Sequence, residues 1–307
     1  MEHYPIQDFP IRLGLTLWSH SQWQQSFYGR GTKPAERLEK YAQVFNTVEG
    51  NTTFYAMPNQ QSVLNWRDAT PDDFRFTFKL PKQITHEQML KGSQAELVTF
   101  LNIMEPLAEK VGQWTIQLPA AFGFEHLDRL KRFCQHFPSD FNLGVEVRNL
   151  EFFAKQEAET QLNSWLVETG INRVIMDSRP VFAAEPTTEA VIDAHQKKPR
   201  VPVHAIATAT RPMIRFIGHP DLASNNAFFK PWLAKIPNWI EQDIQPYLMI
   251  HTPDNDLAPE LAKQLYQSLS EQIQSTNQNL PKLPAFPVDQ ERPRKSHCSS
   301  LRFSVAI

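Results

Sequence analysis

The stretch Val44-Phe-Asn-Thr-Val-Glu-Gly-Asn-Thr-Thr-Phe-Tyr55 decides the fold that we predict for this chain. Its first half alternates and is β-branched, which is typical of a buried strand, and its second half places Glu49 and Asn51 at the strand exit. In parallel α/β folds, the loops that follow the carboxyl ends of the strands build the ligand site. We therefore expect Glu49 and Asn51 to lie near a ligand.

Seven other segments have strand character, and helical segments separate them. Including the strand in the quoted stretch, the predicted strands lie at residues 11–18, 44–50, 74–80, 114–119, 142–148, 173–178, 213–219 and 246–251. A capping box, Ser93-x-x-Glu96, predicts the start of the helix that runs to about residue 110. Eight strand and helix units in alternation predict a TIM-like (β/α)8 barrel, an α/β fold, as one domain over residues 1–276.

Two regions depart from this alternation. Residues 179–210 are broken by prolines and read as an elaborated loop with one short helix near residues 189–195. After about Thr276 the chain is polar and proline-rich, which predicts an irregular tail, extended or disordered, over residues 277–307.

Composition excludes several classes of protein. The chain has 307 residues, a formal net charge of −2 and two cysteines, so neither an overall attraction to nucleic acid nor a disulfide framework is indicated. The first residues lack the pattern of a secretory signal, and no stretch is apolar for long enough to span a membrane, which predicts a cytoplasmic protein with no membrane contact. With no glycine-rich phosphate loop or Rossmann fingerprint, the sequence identifies no cofactor.

The first ninety residues carry a dense family resemblance. The run Phe45-Asn-Thr-Val-Glu-Gly-Asn-Thr-Thr-Phe-Tyr55, followed by Trp66, Thr70-Pro71, Phe74-Arg-Phe-Thr-Phe-Lys79 and Ile84-Thr-His86, resembles the YecE-like family of uncharacterised barrel proteins, domain-of-unknown-function family 72. The resemblance implies a TIM-barrel-like fold and brings no established activity. The chain departs from the family pattern at Asn149, where histidine is usual, and in strand seven, where Arg215-Phe-Ile-Gly218 stands in place of Arg-x-His-Gly and histidine is displaced to His219.

Polar residues at the predicted strand exits form the candidate site. The catalytic candidates are Glu49, Glu146 and His86, and the ligand-binding candidates are Trp18, Trp23, Asn51, Lys79, Arg148, Asp177 and Arg215. Two carboxylates in unlike surroundings can serve as general acid and base. The alternative is that each pairs with a neighbouring cation, as Glu146 would with Arg148 two residues later.

The cations and aromatic residues of this set suit an anionic, ring-bearing ligand. The guanidinium fork of arginine matches a carboxylate or phosphate, although the same cations could merely neutralise the carboxylates. Trp18 and Trp23 flank a polar loop and are better candidates for stacking than Phe54 and Tyr28, which we expect in the core. His86 could carry a proton or bind a metal, but no metal-binding template is present, so we assign no metal site.

The sequence leaves the function open between three possibilities. One is an enzyme that uses the carboxyl end of the barrel for a small anionic ring-bearing ligand, such as a phosphorylated sugar or nucleotide. Another is a non-catalytic module that binds a ligand or nucleic acid through the same cations and tryptophans. The third is a metal-dependent phosphodiesterase-like barrel. Because a barrel hosts many chemistries, the fold does not choose between them.

Overall fold

The computed structural model of the protein describes residues 9–274 and 279–291, and it confirms the predicted barrel. Eight parallel strands close into a barrel in the order in which they occur along the chain. They are β1 Arg12–Leu15, β2 Thr47–Gly50, β3 Arg75–Lys79, β4 Val111–Gln117, β5 Leu143–Glu146, β6 Asn172–Asp177, β7 Met213–Ile217 and β8 Tyr247–His251.

Helices surround the barrel and connect its strands. The α-helices are α1 Arg37–Ala42, α2 Thr52–Tyr55, α3 Gln60–Asp68, α4 Gln94–Met104, α5 Leu127–Cys134, α6 Glu157–Thr169, α7 Arg179–Ala183, α8 Glu189–Lys197, α9 Asn225–Ile240, α10 Ala258–Gln274 and α11 Pro287–Gln290. None of the helices among the described residues is long and apolar enough to cross a membrane.

The pleat of the strands separates an apolar outer layer from a more polar barrel interior. In β3, Phe76 and Phe78 lie on the outer face, where the ring of Phe78 stacks on Trp66 and lies 6.2 Å from the ring of Trp114. Lys79 points to the opposite side of the same strand, as the alternation predicts, because successive side chains of a strand face opposite ways. The hydrophobic core therefore lies mainly between the barrel wall and the helices.

The barrel interior contains an apolar cluster, and charged groups gather toward the carboxyl ends of the strands. Val174, Met213, Tyr247 and Met249 form a buried cluster on the inward positions of β6, β7 and β8. The inward residues closer to the carboxyl ends of the strands include charged groups. A polar cluster is thus held at one end of a closed, packed barrel.

One prediction about a helix terminus is wrong. Ser93 precedes α4, but its hydroxyl makes no capping hydrogen bond, and Glu96 Oε1 instead accepts one from Gln88 Nε2 at 2.9 Å. The reason is local geometry: the backbone of Ser93 has φ −95° and ψ 16°, not the extended conformation of residues that cap through their side chains.

The segment between β6 and β7 is more helical than the sequence indicates. In addition to α8, which the sequence predicts, α7 forms at its start with Pro180 near its first position. Proline is favoured there because the first helical residues need no N–H donor. The proline therefore begins a helix in this segment instead of breaking one.

The described part of the C-terminal segment packs against the barrel. Leu280 and Phe286 are buried, and the ring centroid of Phe286 lies 4.9 Å from that of Phe27. Tyr266 of α10 donates a hydrogen bond to the carbonyl oxygen of Pro281 at 2.7 Å. Residues 279–291 are therefore held by apolar contacts, which the polar composition of the segment does not indicate. Residues 292–307 lie outside the described residues.

Candidate active site at the carboxyl end of the barrel

Inward-facing polar side chains from five strands meet at the carboxyl end of the barrel. Each stands at or near the last position of its strand, where the pleat directs it into the interior. They are Glu49 of β2, Lys79 of β3, Gln117 of β4, Glu146 of β5 and Arg215 of β7. All five are at most 6% exposed, so this is a buried polar cluster.

Arg215 lies at the centre of the cluster and bridges its two carboxylates. Its Nε and Nη2 donate to Glu49 Oε2 and Oε1 at 2.6 and 2.9 Å, a two-pronged contact that fixes both groups. Its Nη1 donates to Glu146 Oε2 at 3.2 Å. One guanidinium therefore joins β2, β5 and β7 across the barrel.

Each carboxylate also has further donors. Lys79 Nζ lies 2.9 Å from Glu49 Oε1. Glu146 Oε1 accepts from Gln117 Nε2 at 2.9 Å and from Arg148 Nε and Nη2 at 2.9 and 2.8 Å. Among the described residues, nothing accepts a hydrogen bond from Arg148 Nη1, and the Arg148 side chain is 22% exposed.

These contacts keep both carboxylates ionised. Burial alone would raise the pKa of Glu49, but Arg215 and Lys79 lower it from 4.5 to about 2. Burial would likewise raise the pKa of Glu146, but Arg148, Arg215 and Lys79 hold it well below its ordinary value. A proton on either group is therefore strongly disfavoured near neutral pH. The arrangement favours the ion-pair alternative over acid–base roles for Glu49 and Glu146.

A lysine that the sequence analysis missed joins the cluster from the segment between β6 and β7. Lys198 follows α8, and its Nζ lies 3.2 Å from Nε2 of His251, the last residue of β8. Burial, with the charges of Arg215 and Lys79, lowers the pKa of Lys198 to about 8. Burial and the charge of Lys198 hold the pKa of His251 well below its ordinary value, so its imidazole is neutral.

Contacts along the segment hold Lys198 in place. The Ser178 hydroxyl donates to the carbonyl oxygen of Pro199 at 2.9 Å, and His204 Nδ1 lies 2.5 Å from Glu159 Oε1 of α6. No local sequence signal distinguishes Lys198 from its neighbour Lys197, because the segment is irregular and its path depends on these distant contacts.

The charges in this cluster do not balance. Lys79, Arg148, Arg215 and protonated Lys198 supply four positive charges, and Glu49 and Glu146 supply two negative ones. The cluster therefore carries an excess of two positive charges in a protein whose formal net charge is −2. Such a local excess in a buried site favours the binding of an anion.

Aromatic rings lie beside the charged groups. The ring of Phe54 stands edge-on to His86 at 5.0 Å and to Tyr55 at 5.1 Å, and Tyr55 is 79% exposed. Burial and the charge of Arg148 lower the pKa of His86 to about 4, so this imidazole is neutral near pH 7. Phe54, which we expected in the core, is only partly buried, and Tyr28 is buried as expected.

The structure places four of the candidate residues outside the cluster. Trp23 is fully buried, and its Nε1 donates to the carbonyl oxygen of Asn255 at 2.8 Å. The ring of Trp18 packs edge-on against Trp66 in the outer layer. Asp177 also faces outward. Asn51 Nδ2 donates to the carbonyl oxygen of Thr16 at 2.8 Å and links β2 to β1.

Within residues 9–274 and 279–291, no group of three or more His, Cys, Asp or Glu side chains is arranged to hold a metal ion. The acidic groups of the cluster each bind cationic side chains instead.

Comparisons with known proteins identify the family. Residues 12–285 match the family model described as protein of unknown function DUF72. The UPF0759 protein YecE of Escherichia coli strain K12 is 47% identical over 277 residues, which cover 90% of this chain and 96% of that protein. The UPF0759 protein YunF of Bacillus subtilis strain 168 is 25% identical over 199 residues, which cover 61% of this chain and 67% of that protein.

Solved structures of DUF72 family proteins share the fold. One from Enterococcus faecalis V583 superposes with a TM-score of 0.64 at 22% identity, covering 90% of this chain and 98% of that one. One from Thermotoga maritima MSB8 also gives 0.64, at 23% identity and with coverage of 84% and 98%. The sequence match and the barrel agree with the resemblance seen from the first ninety residues, and the chain belongs to the YecE-like DUF72 family.

Proposed function

We propose that this protein is an enzyme that binds a small anionic, ring-bearing compound, such as a phosphorylated sugar or a nucleotide, at the carboxyl end of its barrel. The observation that carries the proposal is the excess of cationic groups over carboxylates in the buried cluster. Because ion pairs normally balance when they are buried, an uncompensated excess at the usual site of a barrel fold favours an anionic ligand.

Arg148 is the residue best placed to contact the anion. Its Nε and Nη2 are occupied by Glu146, and its Nη1 remains available among the described residues. Glu146 thus orients the guanidinium, and the partly exposed edge can donate to a phosphate or carboxylate oxygen. The aromatic rings of Phe54 and Tyr55 supply the apolar contact that a sugar or base ring requires.

Binding can be tested with pairs of compounds that differ only by a phosphate. Thermal unfolding of the wild type is followed with phosphorylated sugars and nucleotides and with their unphosphorylated parents. A ligand at ~100 times its dissociation constant should stabilise the fold by about 2.7 kcal/mol. We expect stabilisation by phosphorylated members alone, and turnover is then sought by product analysis.

Two variants with matched chemistry locate the site. Arg148→Gln should weaken binding of the phosphorylated compound by about tenfold or more, since a charge-assisted hydrogen bond contributes about 1.5–3 kcal/mol. Arg179→Gln removes the same charge outside the barrel and should leave the affinity unchanged. The proposal is wrong if no phosphorylated compound binds, or if both variants lose affinity equally.

A titration with salt and oligonucleotides addresses the binding-module alternative. Affinity for a single-stranded oligonucleotide that falls steeply with salt, without turnover of any small compound, would favour the nucleic-acid alternative. Binding of the small compound with turnover would favour the enzyme.

A further inference from the structure

Lys198 and His251 form a contact at the carboxyl end of the barrel that is separate from the ion pairs of Glu49 and Glu146. Lys198 Nζ lies 3.2 Å from His251 Nε2, and His251 is 7% exposed. His251 Nδ1 is buried and has no hydrogen-bond partner among the described residues. A partly exposed amine thus points at a buried imidazole within a charged site.

We propose that Lys198 is the reactive amine of this site, which condenses with the carbonyl group of a small anionic aldehyde or ketone while His251 takes up and returns its proton. The inference rests on the proposed function, because the neighbouring cations would hold the anionic part of the same substrate. It adds the class of substrate and the group that reacts with it.

The partners of the lysines single out Lys198. Lys197 Nζ lies 2.5 Å from Asp193 Oδ1, which raises the pKa of Lys197 and keeps its amine charged. Burial and Arg215 lower the pKa of Lys79 as well, but its Nζ is held in an ion pair 2.9 Å from Glu49 Oε1, which opposes loss of the proton. The partner of Lys198 is a neutral imidazole, which accepts a proton without requiring that the amine stay charged. An amine must lose its proton before it can attack a carbonyl carbon.

The surrounding charges also favour the neutral amine of Lys198. Arg215, Lys79 and Arg148 face Lys198 from β7, β3 and the exit of β5 and disfavour its ammonium form, whereas Glu49 opposes them. Together with burial, they lower the pKa of Lys198 to about 8. A lysine among other cations is one of the known arrangements that activate an amine.

The proposed step balances in atoms and charge. The Lys198 ammonium passes one proton transiently to His251 Nε2, an uphill transfer because burial and the neighbouring cations disfavour the imidazolium. The free Nζ then attacks the carbonyl carbon while the carbonyl π pair moves to oxygen. One proton moves from Nζ to that oxygen to give a carbinolamine. The imidazolium then returns its proton to the hydroxyl, which leaves as water, and the nitrogen lone pair forms the iminium bond. The sum is ammonium plus carbonyl giving iminium plus water, with no oxidant or reductant.

Pyridoxal 5′-phosphate, which carries both an aldehyde and a phosphate, is a suitable probe. The purified full chain is mixed with it, the visible absorbance of the imine is recorded, and borohydride reduction followed by peptide mapping identifies the modified lysine. We expect modification at Lys198 to exceed that at Lys197 by about tenfold or more, because the Lys197 amine keeps its proton.

Three variants provide the controls. Lys198→Arg keeps the charge but cannot form the imine, so the absorbance should be lost, while Lys197→Arg should retain it. His251→Gln should slow imine formation by about 100-fold, the scale of general acid–base catalysis. Modification spread over several lysines, or concentrated on Lys79, overturns the proposal, and so does an unchanged rate in His251→Gln.

A parallel measurement separates this inference from the proposed function. Pyridoxine 5′-phosphate has the phosphate and ring but no aldehyde, so it reports binding alone. If pyridoxine 5′-phosphate stabilises the fold and the aldehyde still gives no imine at Lys198, the proposal of a reactive Lys198 is wrong and the proposal of an anion site is supported. If Lys198 forms the imine but phosphate esters do not compete with the aldehyde, the proposal of a reactive Lys198 is supported and the proposal of an anion site is wrong. With neither binding nor imine, both are wrong.

Discussion

Two neighbouring strand exits carry the same sequence pattern, an acid followed two residues later by an arginine, and the structure places them in different regions. After β5, Arg148 binds Glu146 through two bonds of 2.9 and 2.8 Å. At the end of β6, Arg179 binds Asp177 through bonds of 2.9 and 2.7 Å. The first pair lies in the barrel interior against Arg215, and the second lies in the outer layer, where Trp232 Nε1 donates to Asp177 Oδ2 at 2.8 Å.

The pleat explains the difference. Gly144 of β5 pairs with Asn172 of β6, so the inward positions of β6 are Asn172, Val174 and Met176. Asp177 is one residue further and pairs with Phe216, whose ring packs against α9. A shift of one residue along a strand moves a side chain to the other face. A strand-exit residue therefore belongs to the site only if its side chain also faces the barrel interior.

The largest expected effect comes from removing the centre of the inner network. Arg215→Leu leaves Glu49 and Glu146 buried with fewer cations, and breaking a buried ion pair costs about 3–5 kcal/mol. Urea unfolding monitored by fluorescence measures this loss. A loss below about 1 kcal/mol would contradict the idea that Arg215 holds the carboxylates together.

At acidic pH, the free energies of unfolding of Arg215→Leu and the wild type should differ by less than at neutral pH. The pKa of Glu49 in the folded wild type is about 2, below its ordinary 4.5, so the wild type loses stability as the pH falls from about 4.5 toward 2. Without Arg215 the pKa values of both carboxylates rise. Their protonation then removes the free-energy cost of burying a charge that lacks its partner. Repeating the unfolding from pH ~7 to pH ~4 should show a shrinking difference, and a constant difference would argue against this electrostatic origin.

A smaller loss of stability is expected when Asp177 in the outer layer or Glu146 in the barrel interior is replaced, and the effect on anion binding should distinguish the two. Asp177→Asn weakens the bonds to Arg179 and should destabilise the fold by about 1–3 kcal/mol while leaving the affinity for the anionic ligand unchanged. Glu146→Gln should also reduce stability, but its affinity for the anion should equal or exceed that of the wild type because one negative charge is removed. Calorimetric titration measures both affinities. Weaker anion binding in Asp177→Asn alone would reverse the assignment of the two pairs.

The smallest effect is expected at an exposed ion pair, which provides the baseline. Lys197 and Asp193 pair on α8 with side chains 70% and 49% exposed, and water screens such contacts. Lys197→Gln should therefore leave the unfolding midpoint and the anion affinity indistinguishable from the wild type. A measurable loss of affinity would indicate that the positive field extends beyond the buried cluster.

Much of the site can be read from the sequence. Glu49, Lys79, Glu146, Arg148 and Arg215 stand at the exits of strands that are recognisable by alternation, and the structure brings all five together. Asp177, in contrast, was predicted to bind the ligand but lies outside the site. Its strand is correctly located, but which face it occupies depends on pairing register with β5 and β7.

The sequence alone determined the number and order of the strands, because hydrophobic alternation and turn residues are local properties of the chain. Tertiary structure decided which polar groups meet. Trp23 flanks a polar loop yet is buried in the core. Lys198 contacts His251 from an irregular segment that hydrogen bonds of Ser178 and His204 hold against the rest of the barrel. These contacts join residues distant along the chain, so no local pattern encodes them, and the barrel must close before they exist.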